Sequence, residues 1–251
     1  MELQEFHDSR GSSFVYPSLM RWVFLPGLDG TGLLLEPVVA SLPSEIRSTL
    51  VRYPSDLKGC YQDYAGAAGM DLDTEAPAVV IAESFSGPVA VRLAAANPGV
   101  KAIVLSGSFI SHPRAKSLRN LLPLLAIGLR LNRTSHLFIR LLLAGMDAPK
   151  ELIQIVAEAA RRVPVKVLVH RLGLALSCDE SQAFAKLTIP VLALIGDSDR
   201  LVPASYSAAL MEIQPRLILR SFPTSHLILE RKTEEAIACI SHFLARVPGN
   251  S

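Results

Sequence analysis

Cysteine is scarce in this chain of 251 residues: Cys60, Cys178 and Cys239 lie far apart, with no Cys-x-x-Cys pair and no histidine at metal-ligand spacing. A disulfide scaffold and a zinc module are therefore excluded. An excess of one charge is also lacking, since 25 basic and 23 acidic side chains leave a net charge of +2. A balance so close to neutral argues against a nucleic-acid binder. The greasiest run, Leu121 to Leu129, stops at Arg130 and falls short of the ~18 apolar residues that a membrane span requires. Met1 to Arg10 alternates acidic and apolar residues without a basic start or an apolar core, so no secretory signal is visible and a cytoplasmic location is expected. Internal repeats, low-complexity tracts and Gly- or Ser-rich linkers are missing too.

What is present is apolar mass. Half of the residues are hydrophobic and 19% are charged, below the ~25% usual for soluble domains, so a large core is expected. The length allows one or two domains, and α/β folds often run to ~250 residues as one. Short runs rich in Val, Ile and Leu, each bounded by turn residues, predict strands at Trp22 to Leu25, Thr49 to Arg52, Ala78 to Ala82, Ala102 to Leu105, Val191 to Ile195 and Leu217 to Ser221. Helical patterns fall between and after them at Leu33 to Ser41, Phe85 to Asn97, Ser181 to Leu187, Ala204 to Ile213 and Glu234 to Arg246. Pro98 ends the second of these, because proline disfavours helical geometry in the residue before it. This alternation defines an α/β fold with a mostly parallel sheet.

One stretch breaks the rhythm. From residue 110 to 179 leucine-rich helical segments dominate, and they predict a helical insertion between two halves of the body, 1–109 and 180–251, with breaks at Pro123 and the Asn132 to Ser135 turn. Between Ile110 and Arg171 eleven basic residues face three acidic ones, a net +8 that leaves −6 for the remainder.

The sharpest motif is Ala82-Glu83-Ser84-Phe85-Ser86-Gly87, placed between a predicted strand and a helix. Small residues two before and two after a serine let the chain turn sharply and hold the hydroxyl out at the sheet's carboxyl edge, which makes Ser84 a candidate nucleophile. Ala82 and Ser86 depart from G-x-S-x-G but remain small. The competing structural role is an ordinary N-capping serine. A serine hydroxyl requires a base oriented by an acid. Gly196-Asp197-Ser198-Asp199 follows one later strand and Phe222-Pro223-Thr224-Ser225-His226 follows the next, so His226 is the candidate base and Asp199 the candidate acid, with Asp197 in reserve. His7, His112, His136, His170 and His242 do not fit the order Ser, Asp, His. The loop Leu25-Pro26-Gly27-Leu28-Asp29-Gly30-Thr31-Gly32 follows the first strong strand, and the backbone amides of Leu28 and Phe85 are candidates for a two-donor oxyanion hole. A phosphate loop is the weaker reading, because the glycines do not fit G-x-G-x-x-G and no G-K-[ST] is present.

With these residues assembled, the chain resembles the α/β-hydrolase superfamily from about Trp22 to Ala245, with the insertion in the usual cap position. LPGLDGTG and AESFSGPVAVRLAA look like a group of small bacterial esterase-like proteins, and the glycine-rich loop is similar to one in plant phytyl ester synthases. Pro26-Gly27 stands where many hydrolases carry His-Gly, which removes a side-chain donor and leaves the amides. The resemblance implies a Ser84, Asp199 and His226 triad with no metal or cofactor, and the leucine-rich insertion favours a small-molecule ester with an apolar short- or medium-chain acyl group as substrate. The same triad would also serve a thioesterase or an acyltransferase, and the fold alone would serve a non-catalytic binding protein. Leucines 118, 121, 122, 124, 125, 129, 131, 137, 141, 142 and 143 predict an apolar roof over the site. The basic residues of the insertion predict either contact with an anionic membrane surface or arginines lying along its outer face.

Overall fold

The computed structural model describes residues 5–7, 13–15, 20–70, 72, 76–111, 128, 131, 134–203 and 205–247, the first two stretches as backbone alone. Leu118, Leu121, Leu122, Pro123, Leu124, Leu125, Leu129, Arg130, Asn132 and Arg133, like His112 and Ala204, lie outside the described residues.

Six parallel strands form the central sheet. They are β3 (Arg21–Leu25), β4 (Ser48–Leu50), β5 (Ala78–Glu83), β6 (Val100–Ser106), β7 (Val191–Gly196) and β8 (Ile218–Phe222), in the spatial order β4-β3-β5-β6-β7-β8. Before them, β1 (Glu5–His7) and β2 (Ser13–Val15) pair antiparallel as a separate two-stranded hairpin that the strand signals did not predict. Every residue of β5 is buried, because helices cover both faces of the sheet. Side chains alternate along a strand, so Val80 and Ala82 pack towards α2 (Tyr61–Gly69) and α3 (Gly87–Ala96), while Val79 and Ile81 pack towards α1 (Glu36–Ala40) and α10 (Thr233–Leu244). Each fully buried Val, Leu or Ile contributes about 1.5–3 kcal/mol, which makes this double core the main source of stability.

α2 was not predicted. Its buried face, Tyr61, Tyr64, Ala65 and Ala68, has helical spacing but is made largely of alanine, and Asp63 caps it by accepting from the Cys60 amide at 2.7 Å.

After β6 the chain leaves the sheet for helices: α4 (His136–Ile139), a π-helical turn at Arg140–Ala144, α5 (Lys150–Arg162) and α6 (Val165–Leu176). Pro149 and Pro164 stand at the N-caps of α5 and α6, where a proline cannot continue the preceding segment. The chain returns beside its exit. Ser111 and Asp179 form an antiparallel bridge, and the Ile110 carbonyl accepts from the Glu180 amide and from Cys178 Sγ, both at 3.0 Å. Burial pushes the Cys178 thiol up to about 12, so it stays protonated and structural. α7 (Ser181–Ala185), α8 (Ser205–Ile213) and α9 (Ile228–Arg231) follow, ahead of α10. None of the described helices is long and apolar enough to cross a membrane.

The strand order reverses direction at β3 and β5. Ligands of open α/β sheets bind in the crevice at such a point, outside the carboxyl ends of the strands. The glycine-rich loop leaves β3 there and Ser84 leaves β5 there.

Candidate active site

β5 delivers Ala82 between Leu25 of β3 and Leu105 of β6, and the chain then turns through a single 3-10 turn, Ser84–Ser86, into α3. Ser84 adopts φ +48°, the one positive φ outside glycine among the described residues. A conformation of that kind costs about 1–3 kcal/mol and persists only where the surroundings impose it. Here Ser108 Oγ donates to the Ser84 carbonyl at 2.5 Å. The buried Ser86 hydroxyl donates to the Pro26 carbonyl and accepts from Tyr53 Oη at 2.6 Å. Ser86, a departure from the glycine of the motif, thus bolts the turn to the loop after β3. The steric glycine stands one place later: a Cβ on Gly87 would lie 2.3 Å from Ser108 Oγ and 2.5 Å from the Phe109 carbonyl oxygen.

The three side chains singled out in the sequence meet in one relay. His226 Nε2 lies 2.8 Å from Ser84 Oγ, and His226 Nδ1 lies 2.7 Å from Asp199 Oδ2. Asp199 Oδ1 accepts from the amides of Leu201 and Val202 at 2.8 and 2.9 Å, so the carboxylate is fixed as well as buried. Asp197 is turned away and accepts from Ser221 Oγ at the surface. Burial lowers the His226 pKa, but the Asp199 hydrogen bond and charge, helped by Glu83, outweigh it and leave the imidazole above its ordinary value. The insertion also supports the histidine, since the His226 amide donates to the Leu143 carbonyl at 3.1 Å.

Leu28 and Phe85 both line the cavity into which Ser84 opens, and neither amide donates a hydrogen bond to an acceptor among the described residues. The loop that carries Leu28 is held from both sides. Asp29 Oδ1 accepts from the Thr31 amide at 2.8 Å and from its hydroxyl. From α6, Arg171 reaches across with its side chain wholly buried: Nη1 donates to the Leu28 and Asp29 carbonyls at 3.1 and 2.5 Å, Nη2 to the Pro54 carbonyl at 3.1 Å, and Nε to Tyr64 Oη at 3.2 Å. Its guanidinium also lies over the rings of Tyr53 and Tyr64, 5.8 and 5.4 Å from their centroids. Among the described residues no carboxylate pairs with it. Gly30, at φ +70°, makes room: a Cβ there would lie 2.4 Å from Arg171 Nη1.

Arg171 is one of the eleven basic residues counted in the insertion, but its charge is spent inside the fold rather than on an outer face. Its partners are main-chain carbonyls more than a hundred positions away, which no local pattern announces. Arg171→Met should destabilise the fold by about 2–4 kcal/mol, because buried carbonyls lose charged donors. If the side chain also fixes the Leu28 amide, kcat for a reaction at Ser84 should fall about 10- to 100-fold, less than the ~100- to 1,000-fold loss from deleting an oxyanion donor outright. Urea midpoints and initial rates check this, and an unchanged kcat would show that Arg171 does not position the Leu28 amide.

The cavity beside Ser84 has a volume of about 500 Å³. Leu142, Leu143, Val156, Leu168 and Leu172 from the insertion wall it together with Leu201 and Val202 from the body. Leu142 and Leu143 thus join the expected roof, whereas Leu131, Leu137 and Leu141 are exposed.

Glu83 also lines the cavity, and it forms a buried pair with Glu230 of α9. No side-chain hydroxyl, amide or cation among the described residues donates to Glu83 Oε2 or to either Glu230 oxygen. Burial, with the charges of Glu230 and Asp29, raises the Glu83 carboxyl well above the usual range, and burial pushes Glu230 up to about 7. Two carboxylates so placed beneath the Ser84 turn cannot both ionise readily.

A parallel sheet whose strands end in a strained serine turn, an acid loop and a histidine loop, in that chain order, is the α/β-hydrolase fold. Solved structures with this architecture superpose over nearly the whole chain. An enol-lactonase from Burkholderia xenovorans LB400 matches 97% of this chain and 95% of its own with a TM-score of 0.74 at 14% identity. The esterase RhEst1 from Rhodococcus sp. ECU1013 matches 98% and 100% with a TM-score of 0.74 at 20% identity. MenH from S. aureus matches 90% and 93% with a TM-score of 0.76 at 14% identity. At these identities the likeness is one of fold. No family model and no curated protein matches the sequence.

Proposed function

We propose that the protein is a serine hydrolase that cleaves carboxylic esters carrying apolar short- or medium-chain acyl groups, through an acyl-enzyme on Ser84. The observation that carries this reading is the unbroken relay from Asp199 through His226 to Ser84 Oγ, opening into an apolar cavity beside two unengaged amides. In this reading residues 110–179 act as a cap over the body, and their apolar side chains select the acyl group. Solved neighbours that are esterases lend support at the level of fold.

In this reading the reaction has two halves. His226 Nε2 takes the hydroxyl proton as Ser84 Oγ attacks the carbonyl carbon, and the Leu28 and Phe85 amides receive the charge that develops on the carbonyl oxygen. Asp199 holds Nδ1–H towards itself, which keeps Nε2 basic and stabilises the imidazolium. His226 then gives its proton to the leaving oxygen, and the ester bond breaks. Water repeats the sequence on the acyl-enzyme and releases the acid, restoring Ser84.

The test is a panel of esters graded from acetyl to palmitoyl, combined with a fluorophosphonate probe whose attachment site is mapped by peptide mass spectrometry. The expected result is hydrolysis with an optimum at short or medium chains and a single adduct on Ser84. Folded protein that cleaves none of the panel, or that takes the probe elsewhere, would overturn the proposal.

A further inference from the structure

A second cavity, of about 320 Å³, lies where the insertion meets the histidine loop. Three arginines enter its wall from three separate elements: Arg140 from the π-helical turn, Arg200 from the loop after β7 and Arg231 from the end of α9. Asp147 is the one carboxylate in that wall. Arg231 Nη2 donates to it at 2.6 Å, whereas Arg231 Nη1 is buried without an acceptor among the described residues. The hydroxyls of Thr224 and Ser225, in the same wall, are likewise buried without partners there, and Thr224 is only 7% exposed. Arg140 is fixed by donating to the Met146 and Ala148 carbonyls at 2.8 and 2.6 Å, and Arg200 reaches the Leu141 carbonyl at 3.3 Å.

With three arginines against one carboxylate the wall carries an excess of positive charge, the chemistry that binds a phosphate. Its position adds a direction. Arg200 belongs both to this wall and to that of the apolar cavity, and Ser225 of this pocket precedes His226 in the chain. If Ser84 is acylated as proposed above, on which this inference rests, the atom that leaves must lie against His226 Nε2 to receive its proton. The acyl chain fills the apolar cavity, so the other half of the substrate extends along the histidine loop towards the arginines.

We propose that this pocket binds phosphate on the leaving half of the substrate, which is an acyl thioester or ester whose thiol or alcohol is phosphorylated. The test compares matched pairs with one acyl group: hexanoyl-coenzyme A against hexanoyl-N-acetylcysteamine, and 1-hexanoylglycerol 3-phosphate against 1-hexanoylglycerol. In at least one pair the phosphorylated member should be preferred at least tenfold in kcat/KM at low salt. Added salt should erode that preference, as should the Arg200→Gln, Arg231→Gln double variant, the effect being read as the ratio of kcat/KM within each pair. The responding pair identifies the thiol or the alcohol. Equal kcat/KM within both pairs, or a preference that survives the double variant, overturns the proposal. If no compound is cleaved, the serine hydrolase reading fails, and the pocket is then judged by calorimetric titration with pyrophosphate. Binding weakened tenfold or more in the double variant supports a phosphate site, and no binding by wild type at millimolar concentration rejects it. Should the double variant not fold, Arg200→Gln alone, at an exposed side chain, decides both comparisons.

Discussion

Ser84→Ala is expected to lower kcat on the best ester by about six orders of magnitude, the scale on which removal of a serine nucleophile acts, while leaving the fold intact. The side-chain hydrogen bond of Ser84 runs to His226, and the imidazole keeps its bond to Asp199 when the hydroxyl is gone. Alanine must take the same φ of +48°, so the strain of the turn is common to both proteins and cancels in the comparison. Bonds made by Ser84's own carbonyl and by Ser86 are untouched. Thermal melting should therefore move by no more than a few degrees. If the Leu28 and Phe85 amides form the oxyanion hole proposed above, they and substrate binding account for any residual rate. Initial rates with long incubation, and active-site titration to exclude contaminating wild type, measure the loss. A variant within tenfold of wild type would show that the hydroxyl does not carry the reaction.

The parts of this site that could be read in the sequence are those in which local chemistry and topology coincide. β5 is apolar from Ala78 to Ala82 because helices cover both of its faces, so the strand, to within one residue, and the serine turn after it are legible together. Asp199 and His226 were found by combining turn residues with chain order, although the distances that join them exist only after β7 and β8 pair. Small shifts arise where burial is one-sided. β8 begins at Ile218 rather than Leu217, as befits an edge strand whose apolar alternation is weak. α2 was missed because Ala65, Gly66, Ala67, Ala68 and Gly69 offer little hydrophobic contrast, even though Tyr61 and Tyr64 pack beneath the elbow against Phe85.

Long-range polar contacts were the least legible. The +8 of the insertion suggests a basic outer face, and Arg161 and Arg162 do lie exposed beside Glu158, but Arg171 is buried against carbonyls and Arg140 holds the Met146 and Ala148 carbonyls. A formal charge in a sequence does not say whether a guanidinium meets solvent, a carboxylate or backbone. Glu83 is visible beside Ser84 as part of the motif, but Glu230, whose charge acts on it, lies on a helix that carries no signal of its own.

Asp199→Asn should reduce kcat by about four orders of magnitude with little change in secondary structure. The asparagine oxygen can still accept from the Leu201 and Val202 amides, so the loop after β7 keeps its shape. What changes is the group facing His226 Nδ1. An amide NH₂ there donates to Nδ1 and puts the ring proton on Nε2, where it points at Ser84 Oγ and cannot accept the hydroxyl proton. Rotating the amide restores an acceptor to Nδ1–H but turns NH₂ towards two backbone donors, so neither orientation is good. The pH profile should move as well. In wild type the Asp199 hydrogen bond and charge, with Glu83, hold the His226 pKa above its ordinary value against burial, so the acid limb of kcat/KM should lie above that value. With asparagine, burial is left opposed mainly by Glu83, and the acid limb should move to lower pH even as the plateau falls. Asp197→Asn, at the surface and bonded to Ser221, should leave both the plateau and the limb where they are. If instead Asp197→Asn produced the loss and Asp199→Asn did not, the relay drawn through Asp199 would be wrong.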